Sequence, residues 1–302
     1  MTKQHMPLLS FAASGTIANS VTHQTRHGTH IARAKPVPTY RNTLLQQYQK
    51  WLYQDAIWYW GALTTTQKAA YRTTASRLHI SIFGTYIMDY LDNWLDYLAL
   101  YHLDTSPGSA TPDSSPNKNH ATNYGATPSS LAIDGALYFD GINDYLKCPL
   151  TSPLNDAWTA LTVEAFIRTP NITPAPFTVI ISKGGTVGNN SFNLALMADS
   201  RIRIWLQTVV GAYSNTTIKA NTTHHIAATW DGSTLIVYLD GIPGTPVAHA
   251  PTLTPGTEPI RIGVWSAGLT YDFIGDIDHV ALFSRALSQA QLLAHSKRRY
   301  PL

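Results

Sequence analysis

Most of the chain consists of short apolar or alternating segments separated by tight turn pairs, and this pattern limits the fold more than any other feature. From residue 96 onward, such segments include residues 136–139, 161–167, 202–206 and 235–239. Asp-Gly pairs, which favour the positive φ angles of hairpin turns, stand at 134–135, 140–141, 231–232 and 240–241. Many short strands with almost no helix indicate a sandwich or a barrel.

The segment 161–167 shows the alternation that a two-faced strand requires. Val163, Ala165 and Ile167 are apolar and alternate with more polar or bulkier residues, and successive side chains of a strand point to opposite faces. Residues 288–294 alone in this part predict a short helix. We therefore expect one antiparallel β-sandwich domain over residues 96–302.

Composition supports a protein built from strands and loops. Charged residues make up 13% of the chain, about half of the usual share of roughly 25%. The length of 302 residues indicates about two domains of roughly 100–200 residues each. The net charge of +3 is too small to imply a nucleic-acid partner, and no apolar run approaches the roughly 18 residues of a membrane span.

Basic residues are concentrated at the start of the chain, where the first acidic residue is Asp55. Residues 1–40 contain Gly and Pro breakers and keep no helical period, which predicts an extended or hairpin-like basic arm. Pro7 and Ser10 interrupt its short apolar run, which disfavours a signal peptide. The residues expected to anchor this arm on a partner are Arg26, Arg33, Lys35 and Arg41.

Residues 41–95 predict a helical anchoring segment. Apolar residues recur at a spacing of three or four up to Trp60, which is typical of an amphipathic helix. Gly61 ends this helix, Thr64 can cap a second one, and a third is expected to follow Gly84.

The motifs of the C-terminal part occur in an order that is specific to one group of domains. They occupy residues 100–104 (Leu-Tyr-His-Leu-Asp), 113–119 (Asp-Ser-Ser-Pro-Asn-Lys-Asn), 136–145 (ALYFDGINDY), 161–166 (LTVEAF), 225–232 (HIAATWDG), 237–241 (VYLDG), 273–280 (FIGDIDHV) and 283–288 (FSRALS). In that order, residues 96–298 resemble laminin-G-like, concanavalin A-like domains. The resemblance implies a mainly β, antiparallel two-sheet jelly-roll sandwich with adjacent first and last strands. It also implies glycan binding, adhesion or spacing as a function, and in several relatives a structural calcium.

Oxygen-rich residues near the start of this domain predict a calcium site, because hard oxygen ligands suit Ca²⁺. The fold places the last strand next to the first, so a residue of the last strand can join the set. The alternative is that these are turn residues that bond to their own backbone, and Asp140 with Asp144 forms a second candidate pair. The expected ligands are Asp113, Asn117, Asn119 and Asp278.

The sequence predicts no catalytic residue. Glycoside hydrolysis on such a fold requires two carboxyl groups about 5–10 Å apart, and the two glutamates of the chain, Glu164 and Glu258, are far apart in sequence. Asp276 and Asp278 have a suitable spacing, but they fall in a segment that the family uses structurally. We therefore expect a binding protein and not an enzyme.

Aromatic residues with polar neighbours are the candidates for sugar binding, because sugar rings stack on aromatic faces in shallow concavities. We expect one or two of them to face solvent on the concave sheet or at a loop rim. The alternative is that Trp205 and Trp265 fill the core, which is the commoner outcome for either residue alone. The candidates are Trp205 with Gln207, Tyr213 within an expected loop at 211–217, and Trp265 with Tyr271.

Residues 7–84 carry a second resemblance. Its motifs are residues 7–17 (PLLSFAASGTI), 26–33 (RHGTHIAR), 35–43 (KPVPTYRNT), 60–64 (WGALT) and 67–71 (QKAAY). They resemble small structural proteins of tailed bacteriophages, although Tyr40-Arg41 replaces the usual Asn-Pro-Arg and Tyr71 replaces a second Trp.

Together the two resemblances imply a bacteriophage virion protein, either a capsid decoration or a tail-associated component, that displays its sandwich outward. The expected partners are other virion proteins, further copies of the chain and host-surface glycans, without a specific nucleic acid or a membrane. The expected location is the virion, assembled in the host cytoplasm, and the expected cofactor is calcium. The alternative is a secreted or surface lectin-like module that is not part of a virion.

Overall fold

The computed structural model describes residues 21–26, 29–34, 53, 56–57, 60–61, 65–69, 71–79, 81–92, 97–103, 110–129, 135–184, 191–207 and 210–296. The chain divides into two compact units, Met1–Lys50 and Trp51–Leu302. The expected boundaries at residues 40 and 95 stay predictions.

Within the first unit, the basic arm contains a hairpin. Strand β1 (Val21–Arg26) pairs antiparallel with β2 (Thr29–Ala34), and Arg26 lies opposite Thr29. The described part of the arm is therefore a hairpin, and the bounds and role of the whole arm stay predictions. Arg33 lies on β2, whereas Lys35 and Arg41 fall outside the described residues.

The helical segment contains α1 (Thr65–Ala69), α2 (Arg72–Leu78) and α3 (Ile82–Asp92). The third helix was predicted to follow Gly84 but begins before it, at Ile82. Ser81 explains the earlier start, because its Oγ accepts a hydrogen bond from the Gly84 backbone N–H at 2.8 Å, as an N-cap residue does. None of the described helices is long and apolar enough to cross a bilayer.

A small aromatic cluster packs these helices together. The ring of Trp60 lies 5.5 Å from that of Phe83 and 5.2 Å from that of Tyr86, and Tyr71 meets Tyr86 edge to face at 5.5 Å. Tyr86 is buried, so the helices have a core of their own.

The rest of the second unit is a sandwich of two antiparallel sheets, which confirms the predicted fold class. The strands are β3 (Tyr97–Tyr101), β4 (Ala110–Thr111), β5 (Ala121–Tyr124), β6 (Thr127–Ser129), β7 (Ala136–Asp140), β8 (Tyr145–Lys147), β9 (Leu161–Arg168), β10 (Phe177–Lys183), β11 (Phe192–Met197), β12 (Arg201–Leu206), β13 (Val210–Thr217), β14 (His224–Trp230), β15 (Thr234–Leu239), β16 (Ile242–Pro243), β17 (Val247–Ala248), β18 (Ile260–Ile262) and β19 (Ile274–Phe283). The eight-stranded sheet has the order β13-β12-β11-β10-β18-β8-β5-β4. The nine-stranded sheet has the order β16-β15-β14-β9-β19-β7-β6, with β17 on β15 and β3 on β19.

Strand β19 occupies the middle of the nine-stranded sheet. It pairs with β9 on one side and with both β7 and β3 on the other, where Val280 lies opposite Tyr101 and Ala281 opposite Leu100. The first and last strands of the domain are therefore adjacent, as the family resemblance implies.

Alternation along the strands separates the core from the two outer faces. On β12, Ile202, Ile204 and Leu206 are buried between the sheets, whereas Arg203 and Trp205 are half-buried on the outer side. Apolar residues of both sheets fill the space between them and form one continuous cluster, which supplies the main favourable term for folding.

Two of the four Asp-Gly pairs, at 231–232 and 240–241, close hairpins, whereas the pair at 140–141 connects β7 of one sheet to β8 of the other. Asp240 and Gly241 have φ angles of 53° and 75° between β15 and β16. Positive φ at both central residues is the type I′ geometry that Asp-Gly favours.

The C-terminal helix α4 (Gln289–Ser296) begins with a capping box. Ser288 Oγ accepts a hydrogen bond from the Gln291 N–H at 3.3 Å, and Gln291 Oε1 accepts one from the Ser288 N–H at 2.9 Å.

The segment that precedes this helix is bonded to β9. Thr162, on the outer face of β9, donates a hydrogen bond to the Arg285 carbonyl and accepts one from the Leu287 N–H. The C-terminal segment is therefore hydrogen-bonded to the nine-stranded sheet.

Glu164, two residues further along β9, is bonded to the same helix. Its carboxylate lies 2.8 Å from Nδ1 of His295 on α4 and 3.2 Å from Nε2 of His225 on β14. All three side chains are buried. A buried carboxylate requires such partners, because burial of an unpaired charge is costly.

We expect His295→Ala to lower the free energy of unfolding by about 1–3 kcal/mol, because Glu164 would keep only one of its two histidine partners. Urea denaturation of the full chain measures this loss. Leu293→Ala, at an exposed position of the same helix, serves as the control and should cost much less. Equal losses in the two variants would show that the Glu164 contact adds nothing beyond helix packing.

Candidate functional site

Several aromatic side chains lie together on the outer face of the eight-stranded sheet. They come from strands and from one loop that are distant in sequence, and none of them is fully buried. We call this group the aromatic row, and its members are Tyr213, Trp205, Phe177, Tyr271 and Trp265.

Ring contacts connect most of the row. The ring of Phe177 lies 5.2 Å from that of Trp205 and stacks on that of Tyr271 at 4.2 Å with an interplanar angle of 25°. Tyr271 lies 5.9 Å from Trp265. Aromatic pairs at these separations attract each other beyond the effect of area burial, so the rings hold one another in place.

The Arg203 guanidinium bridges the remaining gap in the row. Its Cζ lies 4.1 Å from the ring centre of Trp205 and 4.8 Å from that of Tyr213. Both distances are within cation–π range. Arg201 lies 4.4 Å from the same Tyr213 ring but also forms an ion pair with Asp199 at 2.6 Å.

The register of the sheet places Trp205 on this face. Trp205 lies opposite Asn193 of β11 and Gly211 of β13, while its neighbours Ile204 and Leu206 enter the core. The alternative that Trp205 fills the core therefore does not hold, because the core side of β12 is already occupied by aliphatic residues.

The loop after β18 carries the other end of the row. The Trp265 N–H donates to the Thr270 carbonyl at 2.9 Å, and the Leu269 N–H donates back to the Trp265 carbonyl at 3.0 Å. Gly268 packs against the Trp265 ring, where an added Cβ would lie 3.1 Å from two ring carbons. The Tyr271 side chain is 37% exposed, so this end of the row is the most open.

Two of the sequence expectations for this face need correction. Residues 211–217 are not a loop but part of β13, where pairing with β12 overrides the weak strand propensity of Gly and Asn. Gln207 is buried, and its Nε2 donates to the Thr252 carbonyl at 2.8 Å. That side-chain amide therefore connects two loops of the domain.

Sequence reasoning missed Phe177 and Arg203. Phe177 begins β10 next to a proline and resembles any strand residue in the sequence. Arg203 could have been found, because it alternates with Trp205 along a strand whose intervening residues are aliphatic.

The residues expected to bind calcium form a hydrogen-bonded turn near β3. Both carboxylate oxygens of Asp113 accept hydrogen bonds: Oδ1 from the N–H groups of Leu100 and Ser115, and Oδ2 from the Asn119 N–H and the Ser115 Oγ. Asn117 donates through Nδ2 to the Tyr97 carbonyl at 2.7 Å. These contacts match the alternative of a backbone-bonded turn, and calcium binding here stays a prediction.

The fourth expected ligand lies on β19 with a different partner. Asp278 is buried, and its Oδ1 contacts Nδ1 of His279 at 2.7 Å. Asp276 is also buried, and its Oδ1 has no hydrogen-bond partner among the described residues. The expectation that this aspartate pair is not catalytic stays a prediction.

The second candidate pair belongs to a group of acidic side chains. Burial raises the pKa of Asp144, and the Asp140 carboxylate adds to this. Burial, followed by the charges of Asp140 and Asp144, also raises the pKa of Asp272. The Asp144 Oδ2 accepts from the Asp140 N–H, and the Asp140 Oδ1 accepts from the Ile142 N–H, so this turn is again bonded to its own backbone.

Among the described residues, one group combines metal-binding side chains of three different elements. Potential ligand atoms of Glu164, His225 and His295 lie within 4.8 Å of one another. Adjacent residues of a strand face opposite ways, and His224 accordingly contacts Asp240 on the other side of β14. Since the Glu164 carboxylate already pairs with both histidines at 2.8–3.2 Å, the group is explained as a structural contact of α4.

A depression of about 590 Å³ lies beside the helices and away from the aromatic row. None of its described lining residues is a Trp, Tyr or Phe. Its lining residues are Arg72, Ala75, Ser76, His79, Ser81 and Ile82.

Comparison with protein families identifies the class of the sandwich. Residues 139–293 match the model of the concanavalin A-like lectin/glucanases superfamily, laminin G type. The chain belongs to this superfamily. A search among curated proteins found no match to the sequence.

Solved structures share the fold at low sequence identity. Domain 4 of AbnA, an extracellular arabinanase from Geobacillus stearothermophilus solved with arabinotriose, is 18% identical with a TM-score of 0.54, over 67% of this chain and 98% of that one. The binding domain of Paraclostridial Mosquitocidal Protein 1 is 13% identical with a TM-score of 0.56, over 68% and 52%. The ligand-binding domain of botulinum neurotoxin serotype D, solved with N-acetylneuraminic acid, is 12% identical with a TM-score of 0.51, over 68% and 51%. The chain therefore spans about half of each toxin domain.

We expect Asp113→Ala to lower the free energy of unfolding by about 2–4 kcal/mol, because several buried donors would lose a charged acceptor. Urea denaturation of the full chain, with EDTA and separately with added Ca²⁺, measures the effect. Asp156→Ala serves as the control, because it removes an exposed carboxylate from a neighbouring loop. It should lower the free energy of unfolding by less than about 1 kcal/mol.

The two solution conditions separate a turn from a calcium site. If the turn alone explains Asp113, the loss is the same with EDTA and with Ca²⁺. If Ca²⁺ stabilises the wild type and this gain disappears in Asp113→Ala, the residue is a calcium ligand after all, since a ligand that binds only the native state stabilises it.

Proposed function

We propose that the sandwich is a carbohydrate-binding module and that the aromatic row is its binding face. The observation that carries the proposal is the alignment of half-buried rings on one outer sheet face, with Phe177 and Tyr271 stacked at 4.2 Å. Side-by-side rings of this kind present flat apolar surfaces to the faces of successive sugar units. Arg203 supplies a polar group between two of the rings.

The comparisons support this proposal through the shared fold. Domain 4 of AbnA was solved with arabinotriose, and the neurotoxin domain was solved with N-acetylneuraminic acid. Those sugars belong to those proteins. For this chain, they support the general expectation that a sandwich of this class binds glycans.

We further propose that the chain is a bacteriophage virion protein, anchored by its N-terminal region and displaying the sandwich toward host-surface glycans. The support is the sequence resemblance of residues 7–84 and the basic hairpin of β1 and β2. A hairpin of two strands is marginally stable alone in water, so a partner surface would stabilise it. Other virion proteins and further copies of the chain are the proposed partners.

We expect Trp205→Ala and Tyr271→Ala each to weaken glycan binding at least about tenfold, or about 1.4 kcal/mol, because each removes a stacking surface. A glycan array followed by calorimetric titration of the best ligand measures this. Tyr138→Ala is the matched control, since Tyr138 is equally exposed at 37% but lies on β7 of the other sheet. Binding to no glycan, or an equal loss in the control, would refute the assignment.

We expect deletion of residues 1–40 to leave the sandwich folded and to abolish incorporation into particles. These residues form the basic arm, which contains no acidic residue and is the proposed anchor. Mass spectrometry of purified particles measures incorporation. Trp205→Ala in the full chain serves as the control and should be incorporated normally. Truncated protein that still co-purifies stoichiometrically would show that the anchor lies elsewhere, and wild-type protein missing from particles would favour the non-virion lectin.

A further inference from the structure

Arg203 differs from the other arginines of the aromatic face in having no acidic partner. Arg201 forms an ion pair with Asp199 at 2.6 Å, and Arg261 forms one with Glu258 at 3.3 Å. Within the described part of the chain, the Arg203 guanidinium makes no ion pair and no hydrogen bond. Its charge is therefore not neutralised by any described residue.

The surroundings of Arg203 hold its guanidinium in one position. The group lies between the rings of Trp205 and Tyr213, at 4.1 Å and 4.8 Å from their centres. Gly211 on β13 leaves the space that it needs, because a Cβ at Gly211 would lie 2.7 Å from the Arg203 Nε and 3.0 Å from its Nη2. A residue larger than glycine would displace the guanidinium from the row.

This environment removes water from part of the guanidinium without replacing the hydrogen bond that is lost there. Among its nitrogens, Nε is fully covered and has no hydrogen-bond partner in the described part of the chain. Burial lowers the pKa of the Arg203 side chain, as expected for a cation that has lost solvent. An anion that binds the remaining N–H groups would offset this cost.

We propose that the ligand of the aromatic row is an acidic glycan, and that Arg203 binds the carboxylate of one of its sugar units while the neighbouring rings stack on the sugars. This inference rests on the proposed glycan-binding function and names the class of sugar. The planar guanidinium presents paired N–H donors that match the two oxygens of a carboxylate. A polysaccharide that contains a sugar acid can make both contacts: its carboxylate binds Arg203, and its sugar rings stack on Trp205 and Tyr213.

The charge of the surrounding face agrees with this class of ligand. Lys147 lies opposite Arg261 in the same sheet, and both are on the outer side of their strands. Two carboxylates near the row, Asp199 and Glu258, are paired with Arg201 and Arg261. Asp272, which follows Tyr271, belongs to the acidic group with Asp140 and Asp144 at the other end of the row. An acidic polymer that lies along the row therefore contacts Arg203, a cation that has no acidic partner among the described residues. Further positively charged side chains lie on the same face of the sheet.

The test uses a panel of acidic polysaccharides, each paired with its carboxyl-reduced form, in which the carboxylate has become a hydroxymethyl group. Polygalacturonate, hyaluronan, alginate and polysialic acid supply different sugar acids, and a sulfated galactan supplies an anion without carboxylate. The full chain should bind at least one acidic member about tenfold or more tightly than its reduced form. Binding should weaken as salt concentration rises, because Arg203 is only half-buried and salt screens a charge contact that solvent can reach.

Variants assign the preference to Arg203. Arg203→Gln should abolish the tenfold preference while keeping binding to the reduced polymer, and Arg203→Lys should restore only part of it, because an ammonium lacks the planar fork. Arg201→Gln is the matched control: it makes the same change two residues away on the same strand and against the same Tyr213 ring. Its effect should be below about threefold, since the Arg201 charge is already paired with Asp199.

The outcomes separate this inference from the proposed function. Equal binding of acidic and reduced polymers, a preference for the sulfated polymer alone, or a preference that survives Arg203→Gln would overturn the carboxylate assignment and leave a glycan-binding face. Binding to no polymer of the panel and to no glycan of the array would overturn both. Near-ultraviolet circular dichroism of each variant shows whether the rings of the row keep their packing.

Discussion

The pairing of β9 with β19 is the interaction on which the rest of the sandwich depends. These strands are more than a hundred residues apart in sequence, and β19 also carries β7 and β3 on its other edge. Without this ladder, β19 with β3 and β7 would be separated from the half of the sheet that contains β9, β14 and β15. The outer face of β9 then holds the C-terminal segment through Thr162 and Glu164. One long-range pairing therefore positions the sheet, the domain ends and the last helix.

The two outer faces of the sandwich differ in chemistry, and this difference places the site. Around β9 and β14 the outer face is covered, and its polar groups Glu164 and His225 are buried and bonded to each other. Around β12 the outer face is half exposed and carries Arg203 between Trp205 and Tyr213. A covered face of paired groups stabilises the protein, whereas a half-exposed face of rings around a cation can take up a ligand.

Local patterns in the sequence were enough to predict the fold class but not the composition of the site. Alternation on β9 and the Asp-Gly turn at Asp240 are short-range signals, and both gave the correct elements. The stacking of Phe177 on Tyr271 joins a strand to a loop more than ninety residues away, and no periodicity reports such a contact. The same reason explains why His295 was not connected with Glu164. The edge strand β13 was expected to be a loop for a different reason, because Gly and Asn have weak strand propensity, which pairing with β12 overrides.

The construction of the row explains how an open sheet face can bind sugar without a deep pocket. Its rings contact one another, and Arg203 is held by two of them, so little side-chain freedom remains to be lost on binding. The contact area stays small, however, and single-site affinity on such a face is therefore modest. Display of many copies on one particle would convert modest affinity into firm attachment, because further sites bind at a high effective concentration once the first is engaged. A preorganised but shallow site is thus well suited to the proposed virion role, in which copy number supplies the strength that one face lacks.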